Sequence, residues 1–489
     1  MARPADSPPP KRSKRLFRAA CVLAALGLVV AGGYLALPAT AQIAVRNQGY
    51  VPFSEPPINY RTQPLTDPVA QLQKDLEQGK ARLTYEPGHG YLKSVLKLLK
   101  VPVNSQALVF SKTSFQLRHI SPEHPRALYY NDDVYIGAVH EGKTIEIISF
   151  DPNQGAVFYL LEEAKAEKPA FQRAELDCTQ CHIAASTRGV PGVMLRSVYP
   201  TATGALAPRG TGSITDQKSP LKDRWGGWYV TGALAKHSMA NATAPNIVPV
   251  SADDPTARPL PQLSPVSQPF DAAAYLTPTS DDVALLVLAH QTQMHNLITL
   301  TNYQTRLALH ALAKTAEGQA PPSAAAPAFD ALPEAQRQQI QRPAEQLLRY
   351  LLFAGEAPLG GQDGRKVIAA SAFAKDFATR GLRDSKKRSL RDFDLRDRIF
   401  RYPCSYLIYS EHFDALPEPA KGYVYHRLLE VLSGRDQSAD FAGLSADDRQ
   451  AILSILLETK PGLPAEWRDY ARSNGLKIAA LPRGEARNR

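Results

Sequence analysis

The chain has 489 residues, of which 44% are hydrophobic, 8% aromatic and 21% charged, an ordinary composition for a soluble globular protein. Its formal net charge of +10 is concentrated at the N-terminus, because residues 1–41 carry six basic and one acidic side chain and leave +5 on the rest. A charge this small on so long a chain argues against nucleic acid as a partner and suits an acidic protein instead.

The first 41 residues have the order of an export signal. A basic stretch is followed by an uncharged run at 19–37, and Ala39-Thr40-Ala41 suits signal peptidase. The run is close to the roughly 20 residues that span a bilayer as a helix, so a cleaved signal and an uncleaved membrane anchor both remain open. Since the basic flank stays inside, residue 42 onward is predicted to lie outside the cytoplasm, in the periplasm.

The N-terminal region, residues 42–165, contains a predicted antiparallel β-meander. Short segments at 107–114, 126–130, 133–139, 144–150 and 156–162 are rich in β-branched and aromatic residues and are separated by turn-like stretches. Residues 162–175 then predict a charged helix with an interruption at Pro169. Within the meander, Asn131-Asp132-Asp133 is interpreted as a hairpin turn in preference to a calcium site.

The C-terminal part is predicted to be helical. A glycine-rich irregular stretch (187–236) and a proline-rich loop (242–278) precede a cap signal at 279–282. Residues 281–314 contain no proline or glycine and predict one long helix, and further helices are predicted at 334–353, 423–432 and 446–458. The predicted fold class is therefore α+β, mainly α with a small antiparallel meander ahead of residue 178.

Two of the four cysteines form the sequence Cys178-Thr179-Gln180-Cys181-His182. The other two, Cys21 in the leader and an isolated Cys404 that is interpreted as a small buried residue, make no disulfide framework. The spacing C-x-x-C-H supplies two thiols for the vinyl groups of a haem and an imidazole for its iron on one turn. A redox dithiol of the thioredoxin type is expected within a βαβ unit, and a structural zinc site is expected to have a second pair of ligands. The sequence around the motif predicts neither. The motif therefore predicts one covalent haem c, with 166–241 as the attachment region and 279–489 as a helical region packing on the haem.

The stretch DCTQCH resembles the attachment motif of c-type cytochromes. Longer blocks resemble a group of large exported bacterial proteins with one haem motif in mid-chain: SKTSFQLRHISPEHPRALYYNDDVYIG, DCTQCHIAASTRGVPGVMLRSVYP, RWGGWYVTG, HQTQMHNLI and RYPCSYLIYSEHFDALPEP. The resemblance implies thioether attachment at Cys178 and Cys181 and proximal iron ligation by His182, and it implies no particular reaction. The chain is much larger than small cytochromes c and has one motif where di-haem peroxidases have two.

The sixth coordination position of the iron, opposite His182, distinguishes the possible functions. A protein ligand there favours electron transfer, and an open position favours the binding of a substrate. Met239 and His237 are the first candidate ligands, since they follow His182 at about the distance at which a small cytochrome c presents its methionine. Met194 is interpreted as a core residue. His290 and His295 lie about 140° apart on the predicted helix and cannot share one ion, so they suit a pocket wall or, alternatively, a buried hydrogen-bonded position.

Basic and aromatic residues near the motif are candidates for binding the porphyrin. Arginine suits the haem propionates and tryptophan can stack on the ring, whereas the alternative is ordinary core packing and surface charge. The candidates are Arg188, Arg196, Arg224, Trp225 and Trp228. The second ring nitrogen of His182 is expected to donate to a backbone carbonyl near Pro191.

Two functions remain open at this point. One is a periplasmic electron-transfer cytochrome that serves a periplasmic or membrane redox partner. The other is a haem-dependent redox enzyme, peroxidase- or oxygenase-like, with an open distal pocket. A haem-based sensor is a third reading, and no signalling domain follows the motif to support it.

Overall fold

The structure, a computed structural model, describes residues 51–207, 212–234, 238–240, 270–316, 327–360 and 371–478. The chain divides into two units, Met1–Tyr50 and Val51–Arg489, and all described residues belong to the second. The predicted export leader, His237 and most of the proline-rich loop lie outside the described residues. Within the described ranges, no helix is both long and apolar enough to cross a bilayer.

A seven-stranded antiparallel sheet confirms the predicted meander and extends it. Its strands lie in the order β6-β5-β4-β3-β2-β1-β9, and β7 and β8 form a separate pair. The strands are β1 Ala107–Val109, β2 Arg126–Tyr130, β3 Val134–Val139, β4 Thr144–Asp151, β5 Gly155–Glu162, β6 Gln172–Arg173, β7 Arg196–Ser197, β8 Ser213–Ile214 and β9 Trp228–Tyr229. Because β9 pairs with β1, the sheet joins the N-terminal region to the predicted attachment region.

The two faces of the sheet bury different partners. Successive side chains of a strand point to opposite faces. One face, which we call the front face, carries Leu128, Tyr130, Tyr135, Ile148 and Phe158. These side chains belong to the larger hydrophobic core or pack against it. The back face carries alternating residues such as Tyr129, Ile136, Ile147 and Val157, which belong to a second core.

Ten α-helices in the described residues confirm the mixed α+β class. They are α1 Pro68–Glu77, α2 Leu92–Leu98, α3 Glu175–His182, α4 Asp282–Ala316, α5 Glu334–Leu351, α6 Ala372–Thr379, α7 Glu411–Asp414, α8 Glu418–Leu432, α9 Ala446–Thr459 and α10 Ala465–Ser473. The predicted long helix, now α4, crosses the front face. There Tyr130 Oη donates to Ala284 O at 2.6 Å, and Tyr135 Oη lies 2.9 Å from His295 Nδ1.

The predicted helix over 162–175 is wrong. Residues 163–171 form no helix, Gln172–Arg173 adds β6 to the edge of the sheet, and the helix begins only at Glu175. Tertiary partners take the backbone donors that a helix would use, since Tyr91 Oη accepts from Ala166 N and the Gln73 side chain accepts from Phe171 N. Pro169 has no N–H to contribute to a helix at all.

Candidate functional site

The cysteine motif lies on the short helix α3, at whose C-terminal end His182 is the last residue. Cys178 and Cys181 are three residues apart and therefore neighbours on the helix surface. Cys178 is partly buried against the main core, and Cys181 is exposed. The helix thus presents two thiols and an imidazole on adjoining positions of one element.

His182 is oriented by the backbone of a tight loop that follows α3. Its Nδ1 lies 2.8 Å from Gly192 O, while its own carbonyl accepts from Gly192 N at 3.0 Å. This confirms the expectation of a carbonyl partner near Pro191. Because Nδ1 is committed to that carbonyl, Nε2 is the nitrogen left to bind a metal. Desolvation lowers the pKa of His182, which favours the neutral, ligating form of the ring.

Helix α4 fixes the loop that holds His182. Asn296 Oδ1 accepts from Val193 N at 2.9 Å, and Asn296 Nδ2 donates to Val193 O at 2.7 Å. Gln293 Nε2 donates to Ser186 O at 3.1 Å from the same helix. The loop approaches so closely that a Cβ at Gly192 would lie 2.1 Å from Asn296 Oδ1. The polar middle of α4 therefore positions the carbonyl that orients His182.

The two histidines predicted in the middle of α4, His290 and His295, are buried and hydrogen-bonded. His290 is fully buried, with Nδ1 2.5 Å from Gln217 Oε1 and Nε2 2.7 Å from Ser405 Oγ. Burial lowers its pKa to about 3, so the ring is neutral. His295 is also fully buried. With both ring nitrogens of His290 engaged, the hydrogen-bonded alternative describes it better than a pocket wall does.

Met239, the candidate distal methionine, and Met194, interpreted as a core residue but only partly buried, each contact a serine hydroxyl. Met239 Sδ lies 3.3 Å from Ser197 Oγ, and it would lie 2.2 Å from a Cβ at Gly226. Met194 Sδ lies 3.3 Å from Ser186 Oγ in the loop after α3. His237 is outside the described residues. Iron ligation by Met239 or His237 stays a prediction.

The candidate porphyrin-binding residues are buried or partly buried, except Arg196, which is exposed. Arg224 and Trp225 are fully buried, Trp228 Nε1 donates to Arg196 O, and Arg188 is partly buried. Desolvation lowers the pKa of both Arg188 and Arg224, and the negative charge of Asp216 near each of them opposes that shift.

Several buried donors around these arginines have no hydrogen-bond partner within the described part of the chain. They are Arg188 Nε, Thr215 Oγ1, Arg224 Nη1 and Trp225 Nε1. Arg224 also donates to Gln217 O and Ser219 O, so the guanidinium is anchored by the backbone while one of its nitrogens stays unpaired. Buried unpaired donors are costly, and anionic oxygens would satisfy them.

A charged pair on the front face was not predicted from the sequence. Arg126 Nη2 lies 2.6 Å from Glu146 Oε2, and Glu146 Oε1 accepts from Ser114 Oγ and Gln116 Nε2. Desolvation lowers the pKa of His182 most, and the hydrogen bond to the Gly192 carbonyl raises it. Two smaller effects come from this pair, since the charge of Arg126 lowers that pKa and the charge of Glu146 raises it. The alternation of β2 and β4 could have placed the pair on one face. Nothing in the sequence places that face beside α3.

Two other predictions are confirmed by the structure. Asn131 Oδ1 accepts from Asp133 N and Val134 N, which confirms the hairpin turn, and Cys404 is fully buried as expected. The described residues contain no group of three or more His, Cys, Asp or Glu side chains that could hold a metal ion. An open groove of about 760 Å³ is lined by back-face residues such as Tyr129 and therefore opens on the side of the sheet away from the front-face pair.

Comparisons of the chain with protein-family models, with curated proteins and with solved structures found no match. The case for a function therefore depends on the motif, on the way His182 is held and on the polar groups around it.

Proposed function

We propose that this chain is a c-type haem protein that transfers electrons outside the cytoplasm. Cys178 and Cys181 would form the two thioether bonds, and His182 would bind the iron through Nε2. The observation that carries the proposal is the 2.8 Å contact between His182 Nδ1 and Gly192 O, because it orients the imidazole beside both thiols and leaves Nε2 available. The haem, when bound, supplies reversible one-electron chemistry at its iron.

Polar residues that follow the motif in the sequence are suited to such a group. The unpaired buried donors of Arg188, Arg224 and Trp225 are suited to the carboxylates of a porphyrin. Asn296 holds the loop after α3 at both backbone atoms of Val193, so the histidine sits on a rigid support. A ligand held by fixed hydrogen bonds keeps its orientation when the charge on the metal changes, which suits electron transfer.

Export and charge support the proposed location and partner. Covalent haem attachment takes place outside the cytoplasmic membrane, and residues 1–41 have the residue order that predicts an export signal. The +5 charge that remains beyond residue 41 suits an acidic redox partner in the periplasm or at the membrane. Membrane attachment through residues 19–37 is part of the same proposal.

A second candidate function is a haem-dependent redox enzyme, peroxidase- or oxygenase-like, with an open distal position. The observation that favours it is the Arg126–Glu146 pair on the front face, since a pure carrier needs no charged pair beside its axial histidine. In that case Met239 would not bind the iron, and small molecules would reach it.

The attachment proposal is tested on protein purified from the periplasm of cells that mature c-type cytochromes. We expect one haem per chain that stays bound under denaturing conditions, and we expect Cys178→Ser and Cys181→Ser each to lose the spectrum of a haem with two thioether bonds. Cys404→Ala is the matched control and should retain it, because Cys404 is a buried core residue. A Cys181→Ser protein that keeps the full denatured c-type spectrum would refute the proposal.

Electronic spectra of the native protein separate the two functions. A low-spin iron indifferent to cyanide, carbon monoxide and peroxide would support the carrier and exclude the open site. High-spin iron that binds those ligands, unchanged in Met239→Ala and His237→Ala, would support the enzyme and exclude the carrier.

A further inference from the structure

The open groove on the back of the sheet, which we call the back-face groove, is large enough for a small molecule. Its volume of about 760 Å³ lies within the range of roughly 300–1,000 Å³ that is usual for ligand pockets. Tyr129 lies at its floor, in β2. Its walls come from four stretches of the chain, residues 88–90, 139–144, 162–164 and 274–276.

The charge of this groove is opposite in sign to that of the chain. Its described lining contains Glu141, Glu162 and Glu163 but only one lysine or arginine, Lys143, whereas the chain beyond residue 41 carries +5. An adjoining groove of about 340 Å³ adds no lysine or arginine from the described residues and two carboxylates, those of Glu123 and Asp271. A cleft lined by one sign of charge concentrates ions of the opposite sign. These grooves therefore favour a cation.

Glu163 is the half-buried carboxylate of the groove, and it lacks a partner. Its backbone is fixed, because Glu163 N donates to Lys143 O at 2.9 Å. Its carboxyl makes no hydrogen bond or ion pair with any described residue, and it lies against Gly90, where a Cβ would come 3.6 Å from Glu163 Oε1. Burial raises the pKa of this carboxyl to about 7, because no nearby charge offsets the lost hydration. A bound cation would supply that charge.

Two tyrosines present ring surface to the groove because their hydroxyls are engaged elsewhere. Tyr129 Oη donates to Gln106 Oε1 at 2.7 Å, and Tyr275 Oη donates to Pro125 O at 2.8 Å. Neither acceptor is among the residues that line the groove, and Tyr85 adds a third ring. The faces of aromatic rings attract cations, organic ammonium groups in particular. Aromatic walls beside an unpaired carboxylate therefore suit an ammonium ion with an apolar body.

We propose that the back-face groove binds a small organic cation, an ammonium compound with an apolar body, with Glu163 as its counter-charge and the tyrosine rings as its wall. A metal ion fits less well, because the described residues contain no group of three or more His, Cys, Asp or Glu side chains that could hold one. Binding here does not require the haem, since the groove lies on the sheet face opposite Phe158, which packs on His182.

The test titrates benzyltrimethylammonium, benzyl alcohol and benzoate into the protein purified from the periplasm, by isothermal calorimetry. At about pH 8 the Glu163 carboxyl is mostly ionised, since its pKa is about 7. We expect the cation to bind at least about tenfold more tightly than the alcohol or the anion, because it alone can pair with a carboxylate. Glu163→Gln should weaken cation binding roughly tenfold to a hundredfold and leave the affinity for benzyl alcohol unchanged.

Three further variants separate charge, shape and ring surface. Glu167→Gln is the matched control, because Glu167 is an exposed glutamate on the same segment that does not line the groove, and it should leave cation binding unchanged. Ala164→Trp fills the groove without changing its charge and should weaken cation binding as well. Tyr85→Leu should weaken it roughly twofold to fivefold, the effect of losing one cation–π contact.

Every result bears on the site. Equal affinities for the cation and the alcohol, or a cation affinity that Glu163→Gln leaves unchanged, would show that Glu163 is not a counter-charge and would overturn the proposal. A wild-type protein that binds no cation at about 20 mM would overturn it too, since even weak ligands bind detectably there. Cation binding by a protein that carries no haem would support the site and refute only the haem proposal.

Discussion

At the scale of single residues, Asn296 holds the backbone on which the orientation of His182 depends. Both polar atoms of its fully buried side chain bond to Val193, the residue after the carbonyl that His182 contacts. Removing a buried amide leaves a backbone N–H and a carbonyl without partners, and each such group carries a desolvation cost.

We therefore expect Asn296→Ala to lower the free energy of unfolding by about 2–4 kcal/mol, combining the lost hydrogen bonds with a small cavity. Urea unfolding monitored by circular dichroism measures this change. Asn474→Ala is the control, because Asn474 is exposed at the end of α10 and should change stability by less than about 0.5 kcal/mol. Equal losses in the two variants would show that Asn296 does not hold the loop.

At the scale of elements, α4 is an apolar helix with a polar middle, and most of those polar groups have a partner in another element. His290 contacts Gln217 and Ser405, and Gln291 bonds to Tyr135 and Tyr406. Polar side chains inside a core specify which neighbours can pack against it, since a misplaced neighbour leaves them unpaired. The helix therefore serves as the central connector between the sheet and the C-terminal helices.

Buried neutral histidines in this core predict a dependence of stability on pH. Burial lowers the pKa of His290 to about 3, below the ordinary value of 6.5 that applies to the unfolded chain. Between these values the unfolded chain takes up a proton that the folded protein does not. Stability is therefore complete above pH 6.5 and falls as the pH drops towards 3, by on the order of 1.4 kcal/mol per pH unit for each such histidine.

Comparison of wild type with His290→Gln isolates this contribution, because the other titrating groups are common to both proteins. Between pH 4.5 and 5.5, the free energy of unfolding of the variant should fall less steeply with decreasing pH, by about 1.4 kcal/mol per unit. Urea titrations at several pH values provide the measurement. Parallel slopes would mean that His290 is charged in the folded state.

At the scale of the whole molecule, the described residues of Val51–Arg489 belong to one compact unit that contains the seven-stranded sheet. The N-terminal region supplies β1 to β5, the predicted attachment region supplies β6 and β9, and α4 covers the front face. The regions predicted at 42–165, 166–241 and 279–489 are therefore stretches of sequence that contribute to a shared hydrophobic core.

The charge of the whole chain predicts an effect of salt on its redox reactions. With +5 beyond the leader, the proposed haem protein should react faster with anionic than with neutral oxidants at low ionic strength. The rate with ferricyanide should fall as salt is raised from about 10 to 150 mM, since the Debye length shrinks from about 30 to 8 Å. Stopped-flow oxidation of the reduced protein, with a neutral quinone as control, measures the effect. A ferricyanide rate that rises with salt would indicate a negative surface at the reacting edge.

The sequence predicted those features whose physical cause is local. Alternating apolar residues and short turns predicted β2 to β5, and a cap signal followed by an uninterrupted run predicted α4. The residues 162–175 were misassigned because their local charge pattern resembles a helix, while Tyr91 and Gln73 compete for the backbone donors from elsewhere in the chain.

The motif Cys178-Thr179-Gln180-Cys181-His182 and the expectation that His182 contacts a carbonyl near Pro191 both followed from the sequence alone, because a short helix and its adjoining loop bring these groups together. Only the tertiary structure decided that Asn296 holds that loop and that Arg126 and Glu146 lie on the sheet face beside it. These contacts join residues that are 103 and 20 positions apart, respectively. Strand register and helix packing bring such residues together, and neither can be predicted from a local stretch of the chain.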